Sequence, residues 1–202
     1  YTEYLSHNVP LGRISEDKLM DTIHNLSLAT DRLEQYANQV REIQAMDAIP
    51  VKPTACPLRE FFEEQEDEYT VLAHQHQLQF SMDISGVPDF QVMLDGTLVH
   101  RMIDNVISNA LRFACHEIAL KAGWQEGMLT IQVYDDGAGF SEESLRSATR
   151  PFYKENTEND HFGLGLSICN TLCQKQGGTL SLSNRNGACV EMQIQAEKID
   201  AD

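Results

Sequence analysis

Between Leu19 and Val40 the apolar positions Leu19, Ile23, Leu26, Leu33, Ala37 and Val40 fall on alternating spacings of four and three, with Thr30 the single polar interruption. This is the spacing of a heptad seam, the narrow stripe that one helix offers to another. Ser15 as N-cap, Glu16 and Asp17 in the first turn, and Ile14 with Leu19 as a hydrophobic staple predict a start at Ser15. The helix is expected to run to about Met46. Asp31, Arg32, Glu34, Gln35, Asn38 and Glu42 cover the rest of its surface, so it needs a partner helix. Asn8, Pro10 and Gly12 make Leu5 to Ile14 a connecting loop, and Tyr1 to Tyr4 the end of an earlier helix.

After Pro50 and Pro53 the period changes. The pattern predicts a strand near Val51, a helix over Leu58–Gln75, strands at Leu78–Ile84 and Phe90–Leu94, and a helix over Asp95–Ala114. Strands are expected at Glu117–Lys121 and Leu129–Tyr134, then a loop-rich stretch, a helix over Gly163–Gln176, and a hairpin of Thr179–Asn184 and Ala188–Gln195. The hairpin turns at Arg185-Asn186-Gly187, where an Asn-Gly step supplies positive φ. The expected architecture is α+β, a two-layer sandwich of a mixed β-sheet with helices on one face, preceded by the long helix. Domain boundaries are expected at residues 1–49 and 50–202.

Composition narrows the class. Of 202 residues, 31 are acidic and 15 basic, a formal charge of −16. Such a field disfavours nucleic acid and anionic membrane surfaces, and no apolar run is long enough to span a bilayer. The five cysteines, Cys56, Cys115, Cys169, Cys173 and Cys189, form no Cys-x-x-Cys pair and fit a reducing compartment. The chain opens on Tyr1 rather than methionine and is expected to be part of a longer protein.

Three segments carry candidate chemistry. On the helix from Asp95, the residues Arg101, Asn105, Asn109 and Arg112 form one polar stripe, while Val99, Met102, Ile103, Val106 and Ala110 fall largely opposite. Neutral amide oxygens suit a hard cation such as magnesium, so Asn105 and Asn109 are candidate metal ligands; a solvated helix face is the alternative. The second segment, Asp135-Asp136-Gly137-Ala138-Gly139, ends a β-branched strand on a carboxylate able to accept from an exocyclic amine, with glycines that admit a planar ligand. An ordinary turn would look similar. The third, Gly163-Leu164-Gly165-Leu166, opens a helix whose free N–H groups favour anions. It has neither the spacing of a P-loop nor that of a Rossmann turn.

Taken in this order, with Pro151-Phe152-Tyr153-Lys154 between the second and third, the segments resemble the catalytic ATP-binding domain of bacterial sensor histidine kinases of two-component systems, over roughly residues 50–197. The resemblance implies ATP and Mg2+ as cofactors. It places Asn109 and Asn105 at the metal and phosphates, Arg112 on a phosphate, Phe113 by the purine and Asp135 on the adenine amino group. Gly137, Gly139, Phe152, Gly163, Leu164, Gly165 and Leu166 would complete the pocket, with Asn105, Arg112 and Lys154 contributing to catalysis. Residues 1–49 resemble part of the family's dimerisation and histidine-phosphotransfer hairpin. A homodimer through that hairpin, a response regulator as phosphoryl acceptor, and a cytoplasmic location in a membrane-anchored sensor are the implied partners and setting.

The rival readings are a hydrolysing ATPase of the same wider fold group and a degenerate interaction module. A hydrolase of that group would carry a glutamate one turn before the metal-binding asparagine, where this chain has Asn105. His161 stands where the family often has a further glycine, and the polar run from Lys154 to Asp160 reads as a lid. His116-Glu117 begins like a zinc-protease motif but meets Leu120 where histidine is required. Neither His7 nor His24 has the phosphoacceptor context: Pro10 follows His7 at three positions rather than five, and His24 lies in the second helix. The acceptor is therefore expected upstream. The chain incubated with γ-labelled ATP and magnesium should acquire no stable label; label abolished by His7→Ala or His24→Ala would place the acceptor here.

Overall fold

The computed structural model describes residues 17–30, 49–151, 153 and 164–199. The chain divides into two compact units, Tyr1–Asp47 and Ala48–Asp202. In the first, residues 17–30 form helix α1. Leu19 and Leu26 of the expected seam are half-buried, but Ile23 is 47% exposed and Thr22 is buried instead. A threonine is tolerated there because its hydroxyl donates to the Lys18 carbonyl at 2.6 Å, so no polar group is left unsatisfied. The expected cap at Ser15, the loop before it and the seam beyond Thr30 lie outside the described residues.

The second unit runs β1 (Thr54–Pro57), α2 (Leu58–Gln75), β2 (Gln79–Gly86), β3 (Gln91–Leu94), α3 (Gly96–Phe113), β4 (Glu117–Gln125) and β5 (Met128–Asp135). It continues with α4 (Glu142–Ser147), α5 (Gly165–Lys175), β6 (Thr179–Asn184), β7 (Ala188–Gln195) and β8 (Glu197–Lys198). Five strands form a mixed sheet in the order β2-β4-β5-β7-β6, with β2 parallel to β4 and the other pairs antiparallel. β1, β3 and β8 form a separate antiparallel sheet of three strands. Expectation had placed all strands in one sheet. The strand anticipated near Val51 lies three residues later, at Thr54, because Pro53 cannot donate to a ladder.

Two further elements escaped the pattern. The stretch after Phe140 contains α4, a helix of six residues whose start is fixed by the Ser141 hydroxyl accepting from the Ser144 amide. β8 has two residues, too short for any periodicity. The helix expected from Gly163 begins at Gly165.

The core lies between the helices and the large sheet. β5 alternates strictly, burying Leu129, Ile131 and Val133, and the same register brings Asp135 to that face. α3 supplies Val99, Met102, Ile103, Val106, Ile107 and Ala110, all at 3% exposure or less. α5 packs beside α3, with Cys169 Sγ 3.4 Å from the Met102 carbonyl oxygen and Cys173 Sγ 3.6 Å from its sulfur. Burial pushes the Cys173 thiol up to about 12 and raises that of Cys169 as well, so both fill space rather than react. On α2, Leu58, Phe62, Gln65, Tyr69 and Ala73 turn inward and the acidic run of Glu63, Glu64, Glu66, Asp67 and Glu68 turns to solvent. Among the described residues no helix is long and apolar enough to cross a membrane.

Phe62 is fully buried and Val71, on the same helix, is 59% exposed. Phe62→Ala should lower the unfolding free energy by about 3–5 kcal/mol. Val71→Ala should stay within roughly 0.5 kcal/mol of the parent in the same denaturant titration.

Candidate functional site

α3 places its polar stripe at the protein surface because the opposite stripe is spent on the core. Asn105 donates its side-chain N–H to the Arg101 carbonyl at 2.8 Å, which fixes the rotamer and leaves Oδ1 available. That oxygen lies 3.6 Å from where a Cβ on Gly165 would stand, so the stripe and the start of α5 face one another. Asn109 is half-buried and makes no side-chain hydrogen bond among the described residues. Arg112 lies over the face of Phe113, 5.1 Å from its centroid, and Phe113 is itself 49% exposed.

Asp135 stands where β5 ends, and its turn lies beside the end of α3. Its Oδ1 accepts from the Gly137 amide at 2.9 Å and the Ala188 amide at 3.4 Å; among the described residues no donor reaches Oδ2. Burial raises its carboxyl above the ordinary value of 3.8, and the two amides only partly counter this. Two glycines let backbones close around it. A Cβ on Gly137 would stand 2.1 Å from the Phe113 carbonyl oxygen, and one on Gly187 1.9 Å from the carbonyl oxygen of Asp135 itself. Gly139 has φ +77°.

Leu164 is the N-cap of α5 and forms no side-chain cap bond. Among the described residues no side chain caps the first-turn amides of that helix, the groups that favour an anion. Gly165 keeps that end open, while Leu164 and Leu166 are buried. Phe152, Lys154 and Gly163 lie outside the described residues, as does the polar run to Asp160. Among the described residues no cluster of three or more His, Cys, Asp or Glu could hold a metal ion.

Residues 94–198 match the family described as histidine kinase-, DNA gyrase B-, and HSP90-like ATPase. The chain belongs to this ATPase family. Among curated relatives, the C4-dicarboxylate transport sensor protein DctB of Pseudomonas aeruginosa is 29% identical over 88% of this chain and 29% of its own length. The sensor protein kinase PilS of the same organism is 26% identical over 93% of this chain and 39% of its own. The chain thus spans less than half the length of these relatives. Among solved structures, full-length ShkA in complex with AMPPNP aligns with TM-score 0.74 over 93% of this chain and 41% of that one, at 18% identity. Acinetobacter baumannii histidine kinase AdeS aligns with TM-score 0.67 over 96% and 92%, at 16% identity.

Within this ATPase fold, two residues not singled out from the sequence hold the Asp135 turn in place. Asp136 Oδ1 accepts from the amides of Cys115, His116 and Glu117 at 2.8, 2.9 and 3.2 Å, and Oδ2 pairs with the His116 ring at 2.9 Å. Partial burial raises its carboxyl, but these bonds together win and hold it well below the usual range. Asn184 grips the turn from β6: its Oδ1 accepts from the Phe140 amide and its Nδ2 donates to the Phe140 carbonyl, both at 2.8 Å. The only sequence signal for Asp136 was its place between Asp135 and Gly137; Asn184 is distant in sequence and gave none.

Gly137→Ala should separate the Asp135 turn from the end of α3, because a methyl cannot occupy the space held by the Phe113 carbonyl. The expected result is at least a tenfold loss of adenine-nucleotide affinity by calorimetry, with the far-UV circular dichroism retained.

Proposed function

We propose that this unit binds Mg-ATP and donates the γ-phosphoryl group to a histidine, for relay to a response regulator. The observation that carries the reading is that α3 brings its amide stripe to the start of α5 and meets the turn of a buried carboxylate at its own end. Asn105 faces Gly165 along the helix, and the Asp135-Gly137 turn lies against the Phe113 carbonyl where the helix stops. The adenine amino group would donate to Asp135 Oδ2, with Phe113 beside the ring. Phosphates would lie toward Asn105, Asn109, Arg112 and the amides at the start of α5.

Asn105 fits a magnesium ligand because its N–H is already committed and its oxygen is not; Asn109 would be the second. When bound, the ion supplies charge neutralisation on the phosphates. This chain's own residues then orient and hold. Arg112 offers a guanidinium to a phosphate oxygen, Lys154 is proposed to meet the transferring group from the lid, and Phe152 and Gly163 to complete the enclosure.

Hydrolysis is the disfavoured alternative, for a geometric reason. Asp104, the carboxylate next to Asn105, accepts from the Tyr69 hydroxyl at 2.8 Å and pairs with the His100 ring at 3.3 Å. It is engaged on the α2 side of the helix and is not a base for water beside Asn105. For the first unit we propose the family's dimerisation hairpin, with a second copy covering Ile23, Met20 and Leu28, which are 47%, 63% and 41% exposed. A cytoplasmic setting in a membrane-anchored parent follows from the same reading.

Asp135→Asn should weaken ADP binding about tenfold or more, since the amide carries no charge and can turn a donor toward the adenine amine. The raised carboxyl adds a pH signature. Wild-type affinity, relative to Asp135→Asn, should fall as pH drops through the interval above 3.8, where this buried group protonates early. Stability of the ligand-free chain should move the opposite way, decreasing as pH rises through the same interval, because the native state must then bury a charge. Calorimetry and thermal melts at matched pH check both slopes.

A further inference from the structure

The segment 49–52 has no regular structure, yet it is bound at two points. The Lys52 amide donates to Asp95 Oδ2 at 2.8 Å, and the Ile49 carbonyl accepts from Lys175 Nζ at 3.1 Å. Asp95 is the N-cap of α3, its other oxygen accepting from the Leu98 amide at 3.2 Å. Lys175 lies in the last turn of α5. The two helices run antiparallel, since Asn105 meets Gly165 while Met102 meets Cys169 and Cys173 further along α5. The start of α3 and the end of α5 therefore lie together, away from the end where Phe113 meets Gly137 and α5 begins at Gly165.

Asp95 is 8% exposed, and each of its oxygens holds a different backbone. One oxygen belongs to the helix and the other to the segment. A capping asparagine or serine would have served the helix alone; the buried carboxylate is the residue type that serves both. The segment stands near the start of the second unit, which begins at Ala48.

We propose that Asp95 is a positioning residue through which segment 49–52 clasps the paired ends of α3 and α5, so that the clasp and a nucleotide held at the other ends stabilise one another. This rests on the nucleotide reading given above. α3 and α5 are close-packed through Met102, so a change in their separation at one end is felt at the other. Linkage makes the effect reciprocal: nucleotide tightens the clasp, and loosening the clasp weakens nucleotide by the same factor.

Two substitutions break the clasp from opposite sides. Asp95→Asn keeps a capping oxygen for Leu98 but turns an N–H₂ group toward the Lys52 amide, a donor against a donor. Lys52→Pro deletes the amide and leaves Asp95 intact. Lys52→Ala keeps the amide and is the control. In the 202-residue chain, amide exchange at 49–52 should slow when Mg-AMPPNP is added. Asp95→Asn should abolish that slowing, and Asp95→Asn and Lys52→Pro should each weaken Mg-AMPPNP about fivefold or more. Lys52→Ala should stay within about twofold of the parent. A general loss of structure is separated from the clasp by exchange in β5 and β7, which only unfolding would accelerate. Binding with unchanged exchange at 49–52, or with parental affinity in both variants, overturns the clasp alone. No binding to the parent chain overturns the nucleotide reading and the clasp with it.

Discussion

The burial of one stripe of α3 against the large sheet sets the position of nearly everything else. Val99, Met102, Ile103, Val106, Ile107 and Ala110 leave almost no surface to water, on the order of 10 kcal/mol of transfer free energy in aggregate. A helix anchored so firmly has one rotational setting. Arg101, Asn105, Asn109 and Arg112 are outward because their neighbours are inward, and Asn105 needs only its bond to the Arg101 carbonyl to fix its amide. The same constraint sorts the acidic neighbour: Asp104 falls toward α2 and joins Tyr69, His100 and Gln65 in a half-buried network. Sequence neighbours 104 and 105 thus acquire different chemistry from a rotation of about 100°.

At the end of β5 the governing constraint is crowding of backbones. β5 delivers Asp135 to the core face by simple alternation, but a carboxylate at a strand end would normally be solvated. Here Gly137 and Gly187 allow the end of α3 and the β6–β7 turn to approach within contact of its main chain. That enclosure raises the carboxyl. Asp136 experiences the reverse, with three amides and an imidazole focused on it. Adjacent acids are driven apart, one raised by enclosure and the other lowered by the donors that tie it into the loop.

The sequence carried the elements with a clear period. α2 begins and ends where the pattern places it, α3 differs by one residue at each end, and the β6–β7 hairpin coincides throughout, because long amphipathic runs and an Asn-Gly turn are strong local signals. The division into two sheets was not legible: Thr54 pairs with Leu94, and no local pattern reports a partner so remote. α4 and β8 were too short to show a period. At the candidate site, glycines and polar residues could be read as a set, whereas the second use of Asp95 and the grip of Asn184 exist only in three dimensions. The sequence placed Ile23 on a seam in need of a partner helix, and Ile23 is 47% exposed: a heptad specifies which positions share a stripe, not whether a neighbour covers them.

The bonds that fix the Asp135 turn and the start of α3 span long stretches of chain. Asp135 is held by Ala188, 53 residues away, and the cap of α3 by Lys52, 43 residues away. Closing such loops costs entropy that is recovered only when the last partner arrives, so local helices and the hairpin can form before any pocket exists. A ligand for this pocket has nothing to recognise in a partly folded chain. A nucleotide held as proposed would in effect proofread the assembly of its own site: occupancy would require that the middle and last thirds of the unit have already found one another, and binding would then draw the population toward that completed state.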